Sequence, residues 1–122
     1  MIAYMTIGTN DLARAASFYD ALLAAFGAKR VLETDRYVAW GTGTGMPMLL
    51  VTKPHDGAPA TVGNGTMVAL HAASREKVDT AYKHALALGG TDEGAAGLRA
   101  GNFYGGYFRD LDGNKLVVCH FG

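Results

Sequence analysis

The chain offers few side chains capable of nucleophilic, acid–base or metal chemistry, and their spacing limits what they can do together. Its single cysteine stands beside a histidine, Cys119-His120, which reads at first as a nucleophile and its base. Adjacent strand residues point to opposite faces, so these two cannot form a dyad with each other. His55 falls in a loop and His84 on a helix, where solvated roles suit them; His71 lies on a predicted strand. Tyr4 can hydrogen-bond a ligand or act as a weak acid, or simply pack with its hydroxyl satisfied. Trp40, the only tryptophan, suits stacking on a flat ligand or a place in the core or a dimer contact. Tyr104 and Tyr107 flank Gly105-Gly106, an arrangement open to a planar guest or to close backbone packing at a sheet edge. Met48 and Met67 are flexible and polarizable, fit for an adaptable pocket or for simple core. Arg109 has the chemistry to grip an anion, or to pair with Asp110 or Asp112.

Two motif look-alikes carry no chemistry. Gly41-Thr42-Gly43-Thr44-Gly45 has the glycine density of a phosphate loop, but Met46 breaks the dinucleotide spacing and no helix pattern follows. Asp110-Leu111-Asp112-Gly113-Asn114 opens like a calcium loop. Lys115 stands where that loop needs glycine, and Phe121 where it needs a bidentate glutamate. Both segments read as turns.

Composition narrows the field further. The chain has 122 residues, enough for one domain with a real core, and 49% of them are apolar against 18% charged. No apolar run approaches the roughly 18 residues of a membrane span, and residues 1–10 lack the features of a signal peptide. Eleven basic and eleven acidic residues balance, and no basic stripe suggests nucleic acid. One cysteine excludes an internal disulfide and fits a reducing cytoplasm. A small molecule or a second copy of the chain is the expected partner.

The elements that must position these residues follow from periodicity. Residues 2–8 read as a strand entering a helix through Thr9-Asn10-Asp11, with Asn10 or Asp11 as the cap. Leu12, Ala15, Phe18, Tyr19, Leu22, Leu23 and Phe26 recur at helical spacing, and Gly27 stands where the helix should end. Residues 30–33, 37–41 and 48–52 look like three strands, and the Pro- and Gly-rich residues 53–66 like a connector. The pattern then restarts with a strand over 66–72 and a helix capped by Ser74, with apolar positions Val78, Ala81, Tyr82, Ala85, Leu86 and Leu88. Gly89-Gly90 ends it, and strands are expected near 97–100, 103–109 and 115–121, the last two joined by a tight turn. Sliding the halves so that Tyr19 falls on Tyr82 also brings Leu23 onto Leu86, Gly27 onto Gly90 and Asp11 onto Ser74. The chain is therefore expected to be a duplicated βαβββ module: module one over about 1–53, connector 54–65, module two over about 66–122. Each module has one helix for its sheet, so one sheet face needs a partner half or a ligand.

The segment from Thr9 to Asp20, the lead-in Gly63-Asn64-Gly65-Thr66 and the hairpin from Tyr107 to Leu116 resemble the vicinal oxygen chelate superfamily, which includes glyoxalases and bleomycin-resistance proteins. Leu111 stands in that hairpin where proline is common. The resemblance covers essentially the whole chain. It implies an α+β fold of two βαβββ modules whose mixed sheet curves into a cup with helices outside, usually in a homodimer. In metal-dependent members, His and Glu from the first and fourth strands of each module hold a divalent cation that binds two neighbouring substrate oxygens. Carried across, those positions are Tyr4, Leu50, Met67 and Val117. Leu50, Met67 and Val117 cannot bind a hard cation and neutral tyrosine is a poor ligand. None of Glu33, Glu76 and Glu93 lies on a fourth strand. His71 shares a face with Met67 and can supply one ligand, but no second joins it. The expectation is thus a metal-free cup for a small apolar or aromatic molecule, lined by Tyr4, Trp40, Met48, Leu50, Met67, His71, Tyr104 and Val117. The alternative is an enzyme of the same fold, a lyase, isomerase or dioxygenase, with one divalent metal ion at a shifted site.

Overall fold

A computed structural model describes all 122 residues and divides them into two compact units, 1–61 and 62–122. The proline- and glycine-rich stretch after Thr52 mostly folds back on the first unit. Asn10 Oδ1 accepts from the Ala60 amide at 2.7 Å, and Asn10 Nδ2 donates to the Ala60 carbonyl at 3.2 Å.

In the first unit β1 (Tyr4–Gly8) leads into α1 (Leu12–Ala24), followed by β2 (Lys29–Glu33), β3 (Tyr37–Gly41) and β4 (Met48–Thr52). The sheet order is β1-β4-β3-β2, parallel only between β1 and β4. Asp11 caps α1 by accepting from the Arg14 amide at 3.0 Å, and the buried Thr9 hydroxyl accepts from the Asp11 amide at 3.0 Å. The helix ends at Ala24, and Gly27 takes the positive φ of 74° that turns the chain toward β2. Its Phe18, Tyr19, Leu22 and Leu23 are buried where α1 packs on β2, β3 and β4, and Ile7, Val38, Leu49 and Val51 of the sheet are buried too. Asp20 on α1 ties the helix to two strands. It accepts from Arg30 Nε at 2.9 Å and Nη2 at 2.7 Å, and from the Trp40 indole at 2.9 Å.

The second unit repeats this plan with β5 (Val68–His71), α2 (Arg75–Ala87), β6 (Thr91–Leu98), β7 (Phe103–Arg109) and β8 (Lys115–Phe121), in sheet order β5-β8-β7-β6. Ser74 caps α2 through the Lys77 amide at 3.2 Å, and Gly89 follows the helix at a φ of 106°. Strand β6 occupies 91–98, earlier in the chain than the strand expected near 97–100. Its Thr-Asp-Glu-Gly-Ala-Ala-Gly run has little β-propensity of its own. It becomes a strand by pairing with β7, with irregular register around Gly94. Asp110 shapes the last turn: one carboxylate oxygen accepts from the amides of Asp112 and Asn114, both at 2.9 Å.

These elements make the α+β architecture of two βαβββ modules, one helix per four-stranded mixed sheet. No helix is long and apolar enough to cross a membrane. Close packing of α2 depends on a missing side chain: a Cβ on Gly106 would sit 2.9 Å from the Tyr82 ring. Gly106→Ala is expected to lower stability by about 1–3 kcal/mol, read as a fall in urea midpoint at constant m-value. Gly43→Ala, with open space around it, is expected to leave the midpoint unchanged.

Hydrogen bonds from Arg30, opposed by partial burial and helped by Trp40, hold the Asp20 carboxyl below its ordinary value of 3.8. A carboxyl whose pKa is lower folded than unfolded stabilises the fold fully above the unfolded value, and this is lost as pH falls through the folded one. The protein should therefore lose stability as pH drops below 3.8. Asp20→Asn should be less stable at neutral pH and show a shallower acid slope by urea melts. Asp92 and Glu93, held low in the same way, keep part of that slope.

Candidate functional site

In the first sheet, β1 and β4 pair Tyr4 with Met48 and Thr6 with Leu50, and β3 brings Ala39 beside Leu50. Strand alternation puts these five on the face turned away from α1. Tyr4 is 52% exposed, and Met48 and Leu50 are half-buried. Trp40 is not among them. Its register partner is Leu49, and it lies buried on the helix side against Tyr19, ring centroids 5.7 Å apart. The expected cup position of Trp40 is thus corrected: the residue is core, with its indole N–H satisfied by Asp20.

In the second sheet, Ala69 pairs with Val117, His71 with Cys119, and Tyr107 with Val117. These residues face away from α2, as Met67 does by alternation just ahead of β5. Tyr104 lies on the other side. Its hydroxyl donates to Asp79 of α2 at 2.7 Å, which raises its pKa, and the Arg75 guanidinium stands 5.1 Å over its ring. Tyr104 is corrected from the cup to the helix side, and Tyr107 stands where Tyr104 was expected. The odd spacing between the two tyrosines already required opposite faces. Val117 is fully buried; Met67 is 42% exposed.

Arg109 is held by Glu93 of β6 at 2.6 Å, not by Asp110 or Asp112, and its guanidinium keeps the Glu93 carboxyl below the ordinary range. Cys119 is buried, and burial pushes its thiol pKa up, the reverse of what a thiolate nucleophile needs. His120 has its Nδ1 2.8 Å from the Ala72 carbonyl, which makes that nitrogen the protonated one. Its ring lies 5.8 Å from that of His71.

The four positions to which the resemblance carries the metal ligands, Tyr4, Leu50, Met67 and Val117, hold a phenol, two aliphatic side chains and a thioether. Glu33 is engaged with Arg30 and Glu93 with Arg109, while Glu76 sits in the first turn of α2. No three His, Cys, Asp or Glu side chains come together anywhere in the chain in a way that could hold a metal ion. The donor set does not fit the superfamily's cation.

The family model of the Glyoxalase/Bleomycin resistance protein/Dioxygenase superfamily matches residues 1–118, and the chain belongs to this superfamily. A glyoxalase/bleomycin resistance protein from Albidiferax ferrireducens T118 is similar over 98% of both chains, at 34% identity and a TM-score of 0.88. A family enzyme from Burkholderia phytofirmans PsJN shares the fold at 17% identity and a TM-score of 0.79, with 98% of both chains covered. Lactoylglutathione lyase from Agrobacterium tumefaciens is 25% identical with a TM-score of 0.71, over 98% of this chain and 92% of its own. No curated protein matches.

Because Trp40 is packed beneath α1, its emission reports the folding of the first module. It should be blue-shifted, shielded from acrylamide and red-shifted only on unfolding. Trp40→Phe, which keeps most of the volume but loses the indole donor, should cost about 1 kcal/mol in a urea melt.

Proposed function

We propose that this protein is a metal-independent binding member of its superfamily, taking a small apolar or aromatic molecule on sheet faces turned away from the helices. The observation that carries this reading is the donor set: Tyr4, Leu50, Met67 and Val117 stand where cation ligands would be. A site without hard donors cannot polarise two neighbouring oxygens, so the lyase chemistry named for the Agrobacterium relative is not carried across. The same faces supply what an apolar guest needs: accessible Tyr4 with half-buried Met48 and Leu50 in the first unit, and accessible Met67 in the second. A homodimer in the cytoplasm belongs to this reading, the dimer from the superfamily resemblance and the compartment from the single cysteine.

The test combines elemental analysis with calorimetry. After incubation with Zn²⁺, Ni²⁺, Mn²⁺ or Fe²⁺ and desalting, the protein should retain no stoichiometric metal. A neutral aromatic probe, 1-naphthamide, should bind equally with and without EDTA. Leu50→Lys should weaken that binding about tenfold or more by placing a charge on the apolar face. One retained equivalent of metal, or probe binding abolished by EDTA, would sink the reading.

A further inference from the structure

The second unit contains a cavity of about 520 Å³, within the range that small-molecule sites occupy. One wall is the loop of residues 62–67, which ends on Met67; another is the Arg109–Lys115 pair at the β7–β8 turn. Met67, Lys115 and Arg109 belong to the face of the sheet turned away from α2, so the cavity opens onto the surface considered above.

Not every cation near this cavity is held in an ion pair. Lys115 Nζ stands 5.5 Å over the Tyr107 ring with no carboxylate at ion-pair distance. The Arg99 guanidinium lies 5.3 Å over the same ring, also without an acidic partner, and is anchored by the Ala95 carbonyl at 2.6 Å. Arg109 is neutralised by Glu93. Among the neighbouring carboxylates, Asp92 accepts from Tyr82 and the Gly94 amide, Asp110 accepts from its own turn, which also carries Asp112, and Glu93 lies close enough to Lys115 to feel its charge. Two cations, Lys115 and Arg99, thus stand over a single aromatic ring, while Arg109 in the cavity wall is paired with Glu93.

The placement of Arg99 is built into β6. A Cβ on Gly94 would sit 3.3 Å from Arg99 Nη2 and 3.4 Å from Tyr107 Cδ2, and one on Gly97 would sit 3.2 Å from Arg99 Nη1. Two glycines that weaken the strand therefore leave the space in which the guanidinium folds back over Tyr107. A ring face holds a cation in place without neutralising its charge, so the cation can still make a charge-assisted hydrogen bond to an anion.

We propose that this cavity is an anion site that receives the carboxylate or phosphoryl group of a small aromatic molecule, with Lys115 of its wall as the principal charge and Arg99, outside the wall but over the Tyr107 ring that Lys115 also meets, as a second charge nearby. The inference rests on the reading of the sheet faces as a ligand surface and names the class of ligand. Val62 and Met67 supply apolar wall for the aromatic body, and Lys115 meets the anionic end.

The experiment is calorimetric titration of 1-naphthoate, 1-naphthyl phosphate and neutral 1-naphthamide into the full chain at pH 7. At least one anion should bind about tenfold or more tightly than the amide, and the tighter one identifies the head group. Lys115→Gln should remove most of that preference while leaving amide binding unchanged, Arg99→Gln should remove less, and rising salt should erode it. In the unsubstituted protein the same anion should shift the amide resonances of residues 63–67, a readout that needs no variant. Amide binding as tight as both anions, or a preference that survives Lys115→Gln, overturns the anion site and leaves the apolar reading standing. Absence of binding by all three probes overturns both.

Discussion

Each four-stranded sheet has a single helix to cover it, and the rest of the molecule follows from that shortage. A strand alternates its side chains between two faces, so register and helix placement together assign every residue to the covered side or its reverse. On the covered side of the first sheet lie Ile7, Val38, Trp40, Leu49 and Val51, all buried. The reverse holds Tyr4, Thr6, Met48 and Leu50, which keep part of their surface. A shift of one residue in any of these strands would exchange the two sets. The apolar excess on the reverse faces is the physical reason to look for a ligand there.

The two modules solve the same packing problem with different polar ties. Each helix brings a tyrosine, Tyr19 or Tyr82, against its sheet. In the first module a carboxylate on the helix, Asp20, gathers Arg30 and Trp40. In the second, phenols reach across: Tyr82 of the helix to Asp92 of β6, and Tyr104 of β7 to Asp79 of the helix. No buried side-chain nitrogen or oxygen is left without a partner. The modules therefore kept the shared geometry while exchanging the chemistry at its rim. Such ties contribute modestly to net stability, and their larger effect is to fix the helix in one position on the sheet.

The same freedom accounts for the chemistry of the reverse faces. A superfamily position needs only a strand residue of the right parity, so a ligand can give way to Leu50 or Val117 without disturbing the fold. In the second module the reverse face carries charge of its own: Lys115 and Arg99 over Tyr107, and Arg109 paired with Glu93. The glycines of β6 belong to this arrangement as much as to the strand.

Much of this was legible in the residues alone. Helix periodicity, the caps Asp11 and Ser74, the Asp110 turn and the internal repeat all act over a few residues, and all specified their elements directly. The absence of hard donors at Tyr4, Leu50, Met67 and Val117 was equally a property of residue type. Parity along one strand could also have separated Tyr104 from Tyr107 and joined Lys115 to Val117. Only the tertiary structure placed Trp40 beneath α1, because which face a helix covers depends on pairing between strands distant in sequence. It alone made a strand of residues 91–98, whose weak propensity is overridden by pairing with β7. It alone gave Arg109 to Glu93 and brought Arg99 over Tyr107, since an ion pair or a ring contact between strands is set by register, and register is decided by the packing of the whole sheet.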